Sequence, residues 1–414
     1  MASTGSNSSA PQAETVSSTA DVVVALTSYN HERTIQAVAR AVREDFTRHF
    51  RSVQTRVLLA DAGSTDQTVQ AARSVLPTGA FVELDVPSRG TGKRAPALRA
   101  ALQAAVKLHA RAVAIVDTGS VAPDSSRVER LVTPVLVEGF DYVSPCYTRN
   151  RYEGAITKAI VYPLFRALYG VPLRQPASNE FACSSKLVEH LLDQDFWDDE
   201  RVEGAIGLWL ASNAVNNGFR ACEAMLGIRT PSTPDLPDLG TALSQVVGAL
   251  FADVEVRADI WHRVRGVRSV AVFGAGDLPE PESAPPGVEP LIDLFRLANR
   301  ELREIWTWVL PPATIVALGR VADSDPRQFG LDDGLWARII YDFAFGYSHR
   351  VMPREHLLGS LLPLYSGWMA SFILRVQDVA SDAVEQRLDQ VAGAFEAEKR
   401  HLVARWRWPE RLRR

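Results

Sequence analysis

The carboxylates Asp61 and Asp117 each follow directly on an apolar run, V-L-L-A before the first and A-V-A-I-V before the second. Such runs read as strands buried on both faces of a parallel sheet. Open α/β sheets bind their ligands beyond the carboxyl ends of the strands. Two acids there can accept from a ribose or a base and hold a divalent ion near a diphosphate. An Asp after a strand also serves simply to start a turn. Between the two, S-R-G-T-G-K-R sets Gly90 and Gly92 beside Arg89, Lys93 and Arg94. That composition suits either close approach of an anion or a solvated basic turn. It is no P-loop, because Arg94 stands where Ser or Thr should hold magnesium, and no G-x-G-x-x-G is present.

The elements that hold these residues follow from the apolar patterning of the chain. D-V-V-V-A-L (21–26) predicts a first strand, and T-S-Y-N-H-E after it is a polar loop that offers Ser28. A helix follows with Ile35, Val38, Ala39, Val42 and Phe46 on one face. Residues 56–60, 81–84 and 112–116 predict three further strands alternating with helices, hence an α/β, doubly wound, mostly parallel sheet with right-handed crossovers. Residues 125–138 read as a helix and F-D-Y-V-S-P as another strand. Residues 147–174 read as a surface loop rich in Tyr, Arg and Thr donors. A helix over 201–218 and a short strand in F-R-A-C-E-A-M complete this half. Beyond Gly240 only helices are expected, over 242–256, 290–309, 335–351, 357–376 and 383–406, with a proline-rich connector at 274–287. The expected division is a disordered tail (1–20), an α/β sheet domain (21–239) and a helical domain or annex (240–414).

Composition narrows the function classes. A formal net charge of -4 argues against a general nucleic-acid binder. Cys146, Cys183 and Cys222 suit neither a disulfide framework nor a zinc site, and a cytoplasmic location is the simplest expectation. The N-terminal stretch lacks the basic and apolar regions of a signal peptide, and no stretch reads as the ~20-residue apolar span a membrane helix needs. No H-E-x-x-H and no Ser/His/Asp arrangement is visible. Trp306, Trp308, Trp336 and Trp368 fall in helices and are expected to pack rather than to face a sugar.

S-Y-N-x-E after strand one, D-A-G-S-T-D after strand two, G-K before the Ala-rich helix and V-D after strand four together resemble the GT-A, family 2 type glycosyltransferases. Y-E-G-A-I-T-K-A-I-V-Y-P-L, R-A-L-Y-G, R-Q-P and the helical second half are similar to mannosylglycerate and glucosylglycerate synthases and to glucosyl-3-phosphoglycerate synthases. The resemblance spans residue 21 to the C-terminus. It implies a GT-A fold with an all-α C-terminal domain. It places Ser28, Asp61, Lys93 and Asp117 at the nucleotide-sugar, Glu180 and Asp117 in catalysis, and Arg149, Arg151, Tyr152 and Thr157 at the acceptor. It also suggests a homo-oligomer built through the helical half, by analogy alone.

The chain departs from that family at the metal. Its D-x-D is D-T-G, with Gly119 in the ligand position and the neutral Ser120 next. Q-P-x-G-G-[DE] is Q-P-A-S-N-E, which keeps Glu180 but replaces two glycines with Ser178 and Asn179. G-I-D is A-I-G, with Gly207 for the acid, and L-G-I-R-T-P-S-T-P lacks the family's metal-binding His. A divalent metal (Mg or Mn) therefore keeps Asp117 and loses its partners. Metal assistance is worth several kcal/mol, so its loss without replacement costs about a thousandfold in rate. Lys93, Arg89 and Arg229 are the cations that could stand in. The expected function is transfer of a hexose, with retention, from a GDP- or UDP-sugar to a small polar acceptor such as glycerate or a phosphoglycerate. The alternative is a catalytically impaired GT-A module that binds nucleotide as a regulatory partner.

Overall fold

The computed structural model describes residues 19–76, 81–86, 92–119, 125–228, 239–274 and 280–407. Most of the expected tail, together with Arg89, Ser120, Arg229 and the basic extremity after Arg407, lies outside them. The first unit runs β1 (Val22–Ser28), α1 (Ile35–His49), β2 (Thr55–Asp61), α2 (Thr68–Arg73), β3 (Phe81–Glu83), α3 (Arg94–Lys107), β4 (Ala112–Asp117), α4 (Arg127–Leu136) and β5 (Tyr142–Thr148). A five-residue π-turn, Thr157–Val161, then leads into α5 (Tyr162–Tyr169), β6 (Phe181–Ser184) and α6 (Ser185–Leu192). A 3₁₀ segment, Glu200–Ala205, precedes α7 (Ile206–Asn216) and β7 (Ala221–Ile228).

The second half contributes α8 (Leu239–Val256), α9 (Ala258–Trp261), β8 (Val272–Phe273), α10 (Glu289–Glu301), α11 (Arg303–Trp306), α12 (Pro312–Ala322), α13 (Asp333–Ser348), α14 (Arg354–Val376) and α15 (Ser381–Arg407). It is helical as expected apart from the two-residue β8. Val272 and Phe273 pair in parallel with Glu223 and Ala224 and close one edge of the sheet.

The eight strands lie in the order β3-β2-β1-β4-β6-β5-β7-β8. All run parallel except β6, which is antiparallel to both β4 and β5. The α/β class and the parallel half are as the apolar runs predict. Period-two alternation divides the central strands between two cores. Val22, Val24 and Leu26 face α1 and α4, while Val23 and Ala25 face α3, α5 and the second half. Strand order reverses between β1 and β4, and that switch point opens a crevice at their carboxyl ends.

Residues 157–169 are the clearest correction. They form buried helix, not surface loop, because Ile160, Val161, Leu164, Phe165 and Leu168 fall on one helical face and are fully covered. Pro163 is tolerated because it sits in the first turn after the π-turn. Trp336 Nε1 donates to Ala159 O at 2.8 Å, and Lys399 Nζ donates to Ala167 O at 2.8 Å near the end of α5. One hydrophobic core thus runs from the sheet through α5 into α8, α13, α14 and α15. α8 and α14 are long and apolar enough to cross a membrane by length and composition, contrary to the expectation from the sequence; α14 is mostly buried in this core and α8 is half-buried. Trp306, Trp336 and Trp368 are buried as expected, whereas Trp308 is 66% exposed.

Candidate active site

Asp61 is the hub of the crevice's first wall. Its Oδ1 accepts from Ser28 Oγ at 2.8 Å and Ser64 Oγ at 2.6 Å, and its Oδ2 from the Gly63 and Ser64 backbone amides at 3.0 and 2.8 Å. Four donors fill the lone-pair sites of a carboxylate. Asp61 and Ser28, both expected at the nucleotide, therefore hold the turn after β2 against the end of β1. The same turn grips the loop after β1. Asn30, in the left-handed region at φ 54, receives Ser64 and Thr65 as partners.

That grip aims His31 into the crevice. Its Nδ1 lies 2.6 Å from Thr118 Oγ1, whose one hydroxyl proton is committed to Thr27 O at 2.8 Å. The Thr118 hydroxyl must therefore accept from His31, which places the imidazole proton on Nδ1 and the lone pair on Nε2. Burial lowers the imidazole's pKa, against the pull of Asp117, while Arg94 lowers it further. Asp117 Oδ1 accepts from the Gly119 amide at 3.1 Å. Thr34 Oγ1 donates to Thr118 O at 2.6 Å and ties α1 to the turn after β4.

The far wall is the start of α3. Gly92 has a φ of +67, and a Cβ there would stand 2.8 Å from the Tyr29 ring, so only glycine lets the two loops close. Lys93 caps α3 and lies 3.6 Å from Glu200. The Glu203 carboxylate accepts from the Arg94 and Ala95 amides, which places an anion of the protein's own at this helix N-terminus.

Glu180, expected in catalysis, is 1% exposed. It is held by Arg127 at 3.3 Å and by the Tyr147 hydroxyl, so in this conformation it locks α4 to β5 rather than facing the crevice. The preceding turn explains A-I-G. A Cβ on Gly207 would stand 1.9 Å from Ser178 O, so residues 177–178 occupy the space that an acid would need. The void between Thr27, Arg94, Asn179 and Gly207 is only about 10 Å³.

A larger cavity, about 670 Å³, opens at the carboxyl end of β5 between Arg149, Lys158, Arg174, Glu280, Ser381 and Glu385. Arg149 also lies 5.2 Å over the Tyr147 ring. Lys158 Nζ donates to Asn150 O and Arg151 O at 3.1 and 2.9 Å, and burial, reinforced by Arg149, holds its pKa down to about 8. Arg174 pairs with Glu385 at 2.8 Å, and its amide donates to Glu223, whose carboxyl burial pushes up to about 7. Of the four expected acceptor residues, Arg149 and Arg151 line this cavity, and Thr157 lies beside Arg149, Lys158 and Arg174 in a small adjoining pocket. Arg151 is consumed by a forked pair with Glu280 at 2.8 and 2.9 Å and by the Val376 and Val379 carbonyls. Tyr152 packs against the core and lines a separate opening near Gln377. Lys158 and Arg174 flank α5, and the mixed polar and apolar composition of residues 147–174 conceals both that helix and the cluster it gathers.

No group of three or more His, Cys, Asp or Glu suited to a metal ion occurs among the described residues. Three comparisons bear on the chain. No protein-family model matches it, and no curated protein matches it. Among solved structures it is similar to glucosyl-3-phosphoglycerate synthase from Mycobacterium tuberculosis in complex with Mn2+, UDP and glucosyl-3-phosphoglycerate. That likeness has 24% identity and a TM-score of 0.43 over 58% of this chain and 81% of that one. The same enzyme with Mg2+ and UDP matches at 24% identity and 0.43, over 58% and 81%. A further mycobacterial protein matches at 23% and 0.44, over 57% and 76%.

Proposed function

We propose that this protein is a GT-A type hexosyltransferase that takes a GDP- or UDP-sugar at the β1/β4 crevice and passes the hexose, with retention, to a small anionic acceptor such as glycerate or a phosphoglycerate. The supporting observation is the placement of two complementary features on one edge of the sheet. Asp117 ends β4, and the cavity with Arg149, Lys158 and Arg174 opens at the end of β5. One strand separates β4 from β5, so the two strand ends are about 10 Å apart, within reach of one donor and one acceptor.

In this reading Lys93 and Arg94 meet the diphosphate, and Asp117 takes the ribose side. Arg149, Lys158 and Arg174 hold the acceptor's carboxylate or phosphate, a role suited to forked guanidinium donors. The acceptor hydroxyl attacks the anomeric carbon on the face from which the diphosphate leaves, and its proton goes out with the leaving group. A bound divalent ion would supply charge stabilisation to that diphosphate. The three buried thiols support a reducing, cytoplasmic setting. The test is incubation with GDP-mannose and UDP-glucose plus glycerate or 3-phosphoglycerate, with and without Mg2+ or Mn2+. Acceptor-dependent nucleotide release is expected, and its absence in every combination counts against the proposal.

A second reading, a nucleotide-binding partner without turnover, is favoured by the closure of Ser178 over Gly207. Turnover requires residues 177–179 to withdraw. Nucleotide binding without sugar transfer or sugar hydrolysis would select this reading.

A further inference from the structure

Gly119 stands where the D-x-D pattern would place a second acid, and the structure shows what faces that position instead. The point a Cβ on Gly119 would occupy lies 3.4 Å from Asp117 Oδ1 and 3.6 Å from His31 Nε2. A carboxylate from the turn after β4 and an imidazole nitrogen from the loop after β1 therefore flank one point at the mouth of the switch-point crevice. We propose that His31 and Asp117 form a two-residue site for a divalent cation, with the His31 imidazole replacing the acid absent at position 119. This rests on reading the crevice as the nucleotide site, because diphosphate oxygens would complete the coordination.

Several features favour this pairing. The second ring nitrogen of a metal-binding His is almost always occupied by a hydrogen bond that fixes its tautomer. Here Nδ1 donates to Thr118 Oγ1, which donates onward to Thr27 O, leaving Nε2 as the bare donor. The ring is preset from behind as well, since the His31 amide donates to Thr68 Oγ1 at 2.8 Å. The Gly119 amide orients the Asp117 carboxylate. The absence of a side chain at 119 keeps the space between the two ligands open. A Cβ there would already touch both ligands at ordinary contact distance, so a longer side chain at 119 would compete with the imidazole for the same space.

The donor set also selects the ion. Imidazole suits transition metals, and carboxylate and diphosphate oxygens suit Mg2+ and Mn2+, so exchanging an acid for an imidazole shifts preference from Mg2+ towards Mn2+. Arg94 faces the same imidazole and is the alternative source of positive charge.

The test is electron paramagnetic resonance of Mn2+ with the full chain, first with Mn2+ alone and then with UDP or GDP. UDP and GDP binding is measured separately in EDTA. Wild-type protein is expected to bind Mn2+ with a hyperfine coupling from one imidazole nitrogen, and more tightly than Mg2+ in competition. His31→Asn retains an amide donor for Thr118 but removes the second nitrogen. It is expected to lose the coupling and weaken Mn2+ at least tenfold while its thermal melt stays near wild type. Adding Gly119→Asp to it should restore Mn2+ binding without the coupling. Bound Mn2+ without nitrogen coupling in the wild type, equal affinity in His31→Asn, or no Mn2+ binding in any mixture overturns the site. Nucleotide binding in EDTA with no Mn2+ effect removes the cation site alone. Nitrogen-coupled Mn2+ without nucleotide binding keeps the site and removes the nucleotide reading.

Discussion

Lys158 carries the sharpest consequence at the scale of one residue. Its folded pKa of about 8 lies below the ordinary 10.5 because burial and Arg149 oppose its charge. The ammonium is present below pH 8 and lost above it, so affinity for a small anionic acceptor should fall as pH rises through that value. Stability moves the other way. Between about 8 and 10.5 the unfolded chain binds the extra proton, and this residue's contribution to stability rises with pH. Calorimetric titration of 3-phosphoglycerate at pH 7 and pH 9 checks the first claim, and Lys158→Met should lower affinity at pH 7 by about tenfold, ~1.4 kcal/mol, and flatten the profile. Asp61 belongs to stability. Asp61→Ala strands the buried Ser28 hydroxyl and the amides of the β2 turn, at a cost of about 2–3 kcal/mol, read as a lower urea midpoint with an unchanged slope.

At the scale of elements, Gly207 and Glu223 give separate tests. Gly207→Ala must push Ser178 aside, so a loss of about 1–3 kcal/mol in a thermal melt is expected. Glu223 sits in β7 with its folded pKa raised from 4.5 to about 7 by burial. The folded state binds the extra proton between those values, so stability falls as pH rises from 4.5 to 7, by about 3 kcal/mol at most. Melts of Glu223→Gln from pH 4.5 to 8 should show that slope reduced, with the contribution of Asp45, pushed up to about 6, left in place. These elements also show what a sequence can carry. V-V-V-A-L and A-V-A-I-V are legible because a strand buried on both faces needs an unbroken apolar run. β6 is four residues long and antiparallel, too short to show a period. α5 hid behind Pro163 and its interspersed Tyr and Arg residues, although its apolar face is complete.

The candidate site divides along the same line. Asp117, Lys93 and Arg149 stand next to motifs that can be read in order along the chain. His31, Glu203, Lys158 and Arg174 become relevant only through packing: a left-handed Asn30 turns one into the crevice, a 3₁₀ segment brings the second to α3, and α5 gathers the last two around a cavity. At the scale of the whole molecule, one core joins the sheet to the second half through α5, with Trp336 bonded to the π-turn that leads into it and Lys399 to its last turn. Denaturation followed by tryptophan fluorescence and by far-ultraviolet circular dichroism should therefore give one coincident transition, and two separated transitions would show independent units. The central claim is that the crevice and the cationic cavity serve one transfer. It is tested most directly by acceptor-dependent release of UDP or GDP from the nucleotide-sugar, compared between wild type, Asp117→Asn and Lys158→Met. Release that needs 3-phosphoglycerate or glycerate and falls at least tenfold in both variants is expected. Release indifferent to the acceptor and to both substitutions would contradict it.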